Sequence, residues 1–187
     1  MAYKVLIIYD GKISSKNQAM GLTNSLKKKS KRKFEVKFLS FCPSYKNWFG
    51  NSIIFYYLFM KFLIFKKELD YLNTELIVSC GRVAAPLSLI YKRVCQAKII
   101  NILDPYFKRE EFNKIIIPNH DKKLKGSNFL YMNGSLVNSE LIKIKKSDVD
   151  KFSNLVDTKK KKIVILVGGN SKRTKFKRED LNKFTMY

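Results

Sequence analysis

Tyr3-Lys4-Val5-Leu6-Ile7-Ile8-Tyr9-Asp10-Gly11-Lys12 decides the fold: an apolar run without polar alternation, closed at once by turn residues. Residues 5–9 read as a strand buried on both faces, which is the mark of a parallel sheet covered by helices. The same sentence recurs along the chain. Leu76-Ile77-Val78-Ser79 runs into Cys80-Gly81-Arg82, and residues 98–102 run into Leu103-Asp104-Pro105. Residues 114–117 end at Pro118, and Lys162-Ile163-Val164-Ile165-Leu166-Val167 runs into Gly168-Gly169-Asn170-Ser171. Residues 34–39 and 129–132 read as further strands. Between them, residues 17–29 fit a helix with Ala19, Met20, Leu22 and Leu26 near one face. Its last-turn lysines suit the negative end of the helix dipole. Residues 83–95 fit a second helix. Strands alternating with helices make parallel βαβ units, so the fold class is α/β, a Rossmann-like doubly wound parallel sheet.

At 187 residues the chain has room for one domain and a fraction of another, and 45% apolar residues supply a core. Asp157-Thr158-Lys159-Lys160-Lys161-Lys162 is a charged connector. The expected division is a Rossmann-like domain over residues 1–157, then residues 158–187 as a linker with the first strand and loop of an incomplete second α/β domain. A short linker helix is expected over residues 147–155, with Ser147 as its N-cap and Asp148 and Asp150 in its first turn. Lys and Arg number 38 against 15 Asp and Glu, a formal net charge of +23. That field attracts nucleic acid, acidic lipid or nucleotide phosphates. The abundance of Lys, Ile, Asn, Phe and Tyr together is equally what an AT-rich genome encodes. No helix-turn-helix, zinc-finger or RNP-type aromatic motif accompanies the charge, which argues against specific nucleic-acid recognition. Cys42, Cys80 and Cys95 form no CxxC pair and have no ligand-spaced histidines, so neither zinc nor a disulfide framework is expected. No signal peptide opens the sequence, and the expected location is the cytoplasm.

Ile53-Ile54-Phe55-Tyr56-Tyr57-Leu58-Phe59-Met60-Lys61-Phe62-Leu63-Ile64-Phe65 is apolar all round except for Lys61. As a helix it reaches about 20 Å, short of the roughly 30 Å hydrocarbon core. It reads either as a buried crossover helix or as a segment lying in an anionic membrane surface at the inner face of the bilayer.

In open α/β sheets, ligands lie beyond the carboxyl ends of the strands. Polar residues at those ends are therefore the site candidates: Asp10, Gly11 and Lys12, with Asn17 and Gln18 opening the next helix; Gly81 and Arg82; Asp104; and His120 with Asp121. All are expected to converge on one crest. Asp10-Gly11 is also an ordinary turn pair. Arg82 offers a planar fork to phosphate or carboxylate, and a surface salt bridge would use it equally well. Cys80 lies just before a helix start, where a thiol pKa can fall, yet it reads better as a buried structural residue. His120 is the single histidine and the candidate general base. Gly168-Gly169-Asn170-Ser171 has neither P-loop spacing nor the GxGxxG fingerprint, and stands as a candidate phosphate or sugar loop.

Taken in order, these clusters resemble the elongated-mitochondria fission factors of plants and their bacterial relatives. The matching stretches are Asp10-Gly11-Lys12 with Asn17-Gln18-Ala19-Met20-Gly21-Leu22; Ser79-Cys80-Gly81-Arg82 with Ala85-Pro86; Asp104-Pro105; Ile117-Pro118-Asn119-His120-Asp121; Asn133-Gly134-Ser135-Leu136; and Val167-Gly168-Gly169-Asn170-Ser171. The resemblance implies a glycosyltransferase-like scaffold of the B type, with two Rossmann-like domains and a nucleotide-sugar site mainly in the second. On an enzyme hypothesis built on that scaffold, His120 is the expected base, a nucleotide sugar and a lipid-linked acceptor are the expected partners, and no cofactor or metal is expected. Plant members act in recruiting the mitochondrial division machinery, which implies the alternative of a membrane-peripheral adaptor without catalysis. The family places a glycine and histidine shortly before the Asn-Gln pair, where this chain has Ser14-Ser15-Lys16. Family members also continue well beyond residue 187, so a truncated member is expected.

Overall fold

The structure, a computed structural model, describes residues 2–41, 71–121 and 123–138, together with Ser147 and Asp150. Its elements are β1 (Tyr3–Tyr9), α1 (Ile13–Ser30), β2 (Phe34–Ser40), β3 (Leu76–Cys80), α2 (Ala85–Cys95), β4 (Lys98–Ile102), a 3-10 turn (Arg109–Glu111), β5 (Lys114–Pro118) and β6 (Phe129–Met132). The strands form one sheet in the order β2-β1-β3-β4-β5-β6, and every pairing is parallel. The α/β Rossmann-like reading holds.

Alternation within strands explains the doubly covered sheet, because neighbouring residues face opposite sides. Leu6, Ile8, Ile77, Ile99, Ile115 and Ile117 form one core with Ala85, Leu87, Leu89, Ile90 and Tyr91 of α2. Val5, Ile7, Leu76, Val78, Cys80 and Ile102 form the other with Ala19 of α1. The helices therefore lie on opposite faces. In β1, residues 5–8 are all buried, which is why that run carries no polar position.

Two helix expectations need correction. The first helix starts at Ile13 rather than residue 17. Gly11, at φ 79°, reverses the chain sharply enough that extended Lys12 leads directly into the helix. Asn17 and Gln18 therefore sit one turn inside it and do not supply its free amides. Its fully buried residues are also the small ones, Ser15, Ala19, Gly21 and Thr23, while Met20, Leu22 and Leu26 are partly buried at the core's edge. The second helix starts at Ala85, because residues 82–84 are taken up by the turn out of β3. Both helices end with a residue in the left-handed region, Lys31 and Gln96.

The chain divides into two compact units, Met1–Lys143 and Ile144–Tyr187. The boundary expected near residue 158 lies outside the described residues. So do Cys42, the apolar run at residues 53–65, the strand at 162–167 and the loop Gly168, Gly169, Asn170 and Ser171. Of the expected linker helix, Ser147 and Asp150 are described, and both are helical.

Candidate functional site at the carboxyl edge of the sheet

The chain leaves β1 toward β2 on one side and crosses to β3 on the other. The β1/β3 boundary is thus the topological switch point, where the following loops part toward opposite faces and leave a crevice. The loop after β1 carries Asp10, Gly11 and Lys12. Asp10 accepts from the Lys12 amide at 3.3 Å and pairs with the Lys12 ammonium at 2.9 Å. Burial alone would raise the Asp10 carboxyl, but hydrogen bonds from Lys12 and Ser15 outweigh it and hold the pKa below the usual value.

The loop after β3 begins with Cys80, fully buried, whose thiol is pushed up to about 11 by desolvation. Burial raises the thiol rather than lowering it, in keeping with a structural role for Cys80. Gly81 follows at φ 86°, with open space where a Cβ would stand. Its amide donates to Ile102 O at 2.9 Å, tying the turn to the end of β4. Arg82 is exposed, and its guanidinium lies 5.8 Å from the centre of the Tyr106 ring.

The loop after β4 contains three non-glycine residues in the left-handed region, Leu103, Tyr106 and Lys108. Such residues are held there only when their surroundings dictate it. Ser79 donates to Asn101 at 2.6 Å within the core. Asn101 donates in turn to Leu103 O at 2.7 Å. Asp104 accepts the Tyr106 amide at 2.9 Å and holds Arg109 through both carboxylate oxygens, at 2.8 and 2.9 Å. Burial raises the Asp104 carboxyl, but the Arg109 and Tyr106 hydrogen bonds prevail and lower its pKa. Arg109 also lies 5.7 Å from the Tyr106 ring centre. The loop thus presents Tyr106, 64% exposed, with two guanidinium groups within 6 Å of its ring centre.

The loop after β5 carries Asn119, His120 and Asp121. The Asn119 side chain donates to that of Asn133. The His120 ring is 73% exposed, and its Nε2 is 4.0 Å from Asp121 Oδ1, too far to hydrogen-bond.

The loops after the parallel strands share the carboxyl edge of the sheet, and their candidate residues form two groups. β5 lies three strand positions from β1, which at the usual spacing is roughly 14 Å. The structure brings Arg82 beside Tyr106 and the Asp104–Arg109 pair, and sets Asp10, Gly11 and Lys12 one strand away. His120 and Asp121 stand apart from the switch point, and Asn17 and Gln18 are half-buried on α1. Sequence reasoning missed Ser79 as a partner, Asn101, Tyr106 and Arg109. A signal existed for Asn101, a polar residue inside the apolar strand Lys98-Ile99-Ile100-Asn101-Ile102, because buried polar groups are seldom idle.

Among the described residues, no group of three or more His, Cys, Asp or Glu is placed to hold a metal. Among them, too, no helix is long and apolar enough to cross a membrane.

The family described as Mitochondrial fission ELM1 matches residues 15–186. The chain belongs to that family. No curated protein and no solved structure matches it. The stretch matched to the fission family takes in the loops after β3, β4 and β5 and the glycine pair at 168–169, and begins after Asp10, Gly11 and Lys12.

Proposed function

We propose that this fission-family chain is a glycosyltransferase-like, nucleotide-sugar-related scaffold whose first unit presents a ligand-binding crest for an acceptor. One observation carries the reading: turn glycines in the left-handed region, Gly11 and Gly81, flank the switch point of an all-parallel sheet. Residues there bring backbone and polar side chains close to a ligand without a Cβ in the way. Arg82 and Lys12 take the anionic parts of the ligand. Asp104 acts through Arg109, as a positioning residue. His120 is the base in this reading, reached by an acceptor that extends along the crest from the switch point toward β5. The loop Gly168-Gly169-Asn170-Ser171 belongs to the nucleotide-sugar side, and a lipid-linked saccharide is the acceptor class.

The test is calorimetric titration of the full chain with UDP-glucose and GDP-mannose, alongside mass spectrometry for transfer to a polyprenyl-phosphate saccharide. Saturable nucleotide-sugar binding with product formation, lost in His120→Ala while binding persists, is the expected result. Absence of nucleotide-sugar binding defeats the reading.

A second reading, a membrane-peripheral adaptor, is favoured by the opposite edge of the sheet. The amino edge gathers Lys27, Lys28 and Lys29 at the end of α1, Lys31 and Lys33 before β2, and Lys98 and Lys114 at the starts of β4 and β5. Each Lys near an anionic bilayer contributes about 1 kcal/mol. Flotation with phosphatidylglycerol vesicles, absent with neutral phosphatidylcholine vesicles, is expected of the adaptor. Equal recovery from both vesicle types removes this reading.

A further inference from the structure

Several charges of the first unit are engaged with opposite charges among the described residues. Asp10 is matched by Lys12 at 2.9 Å. Asp104 is matched by both nitrogens of the Arg109 fork. Lys108 and Arg93 share Glu111. Arg82 has no acidic partner among the described residues, and its recorded contact is with the Tyr106 ring. Arg82 thus keeps its positive charge available to an incoming anion.

The ring beside it is presented by design of the loop rather than by default. Tyr106 adopts φ 55°, a strained state for a bulky residue. Asp104 holds the Tyr106 amide, Pro105 is buried directly before it, and Arg109 packs against the ring. Together these keep Tyr106 64% exposed. Next to it, Gly81 leaves open the volume a Cβ would fill. The result is an exposed aromatic ring bordered by a fork for an anion, with open space at Gly81 beside the fork.

We propose that Arg82 and Tyr106 form a subsite for a phosphate carried on a ring, and specifically for a sugar phosphate: the phosphate oxygens accept from the Arg82 fork, and the apolar face of the sugar lies on Tyr106. The choice of a sugar rests on the transferase reading above. The choice of a ring-borne anion rests on the two side chains alone. Arg is suited to phosphate by its fork geometry. Lys would supply charge without that directional pairing.

The experiment is calorimetric titration of the full chain with α-glucose 1-phosphate, inorganic phosphate, glucose and UMP. Wild type is expected to bind glucose 1-phosphate more tightly than inorganic phosphate, and glucose not measurably. Arg82→Gln should weaken glucose 1-phosphate about tenfold or more, and Arg82→Lys should restore only part of it. Tyr106→Ala should weaken glucose 1-phosphate and leave inorganic phosphate unchanged. Lys125→Gln removes one exposed charge elsewhere and should change neither. Equal losses in Arg82→Gln and Lys125→Gln, or no saturable binding, would overturn the subsite, leaving only the general attraction of a basic chain. Tighter, Tyr106-dependent binding of UMP would overturn the sugar assignment. Loss of nucleotide-sugar binding with glucose 1-phosphate binding intact would defeat the donor reading and leave this subsite standing.

Discussion

Asp104 shows how one side chain can organise a loop. It anchors Arg109 and the Tyr106 amide at once, so Asp104→Asn should cost about 1–2 kcal/mol, discounted for the partial exposure of the pair. Because the folded pKa of Asp104 is lowered, its stabilisation is complete above the ordinary carboxylate range of about 4 and fades as pH falls through the folded value. Urea unfolding at pH 7 and pH 3 should show a large loss of stability at acid pH in wild type and a smaller one in Asp104→Asn. Asp10 and Glu111 share that sign. Cys80 has the opposite one. Its pKa is raised to about 11, so the folded state keeps a proton that the unfolded chain loses from about pH 8.5 upward, and the fold weakens with rising pH across that window. Iodoacetamide at pH 8 should alkylate Cys80 far more slowly than half-buried Cys95, with the difference vanishing in urea. Equal native rates would contradict the burial of Cys80. The placement of Cys80 at the end of an apolar strand was legible in the sequence. The Asp104–Arg109–Tyr106 arrangement was not, because it depends on left-handed backbone at non-glycine residues, which no local propensity announces.

At the scale of elements, α1 is held by close approach rather than by bulk. A Cβ added to Gly21 would stand 2.5 Å from Val137 O and 2.7 Å from Val137 C, contacts that backbone cannot yield cheaply. Asn24 reinforces the contact by donating to Asn138 Oδ1 at 3.2 Å. Gly21→Ala should therefore destabilise by about 1–3 kcal/mol despite the better helix propensity of alanine, measured as a shift in urea midpoint. A stabilised variant would mean that the 136–138 segment does not pack on α1. The helical period in residues 17–29 was readable from spacing. That the buried stripe would be small residues was not, since it reflects a backbone neighbour more than a hundred residues away. The start of α1 was misplaced for a related reason. Ser14-Ser15-Lys16 looks like loop chemistry, yet the Gly11 turn leaves the chain already aligned for a helix at Ile13.

For the whole molecule, the charge of +23 is the dominant long-range feature, and its distribution gives it two roles. At the amino edge the lysines are mostly solvated and should produce loose, sequence-independent attraction to polyanions. Binding of arbitrary DNA should therefore fall steeply with added salt and show no sequence preference in a competition titration. A discriminating competitor would reveal base recognition, which none of the described elements provides. At the carboxyl edge several charges are engaged with opposite ones, so binding there should depend on particular residues and less on salt.

The sequence by itself determined the α/β class, the six described strands to within about two residues, and the family. These follow from properties written locally: uninterrupted apolar runs such as residues 5–8, turn residues directly after them, and proline where pairing stops. The tertiary structure alone decided which crest residues are neighbours. Strand order places β3 and β4 side by side and β5 beyond them, so Arg82 meets Tyr106 and His120 does not meet Asp10. It also decided which charges are spent on each other, because an ion pair depends on distances across the fold, and nothing in the order of residues along a chain fixes those distances.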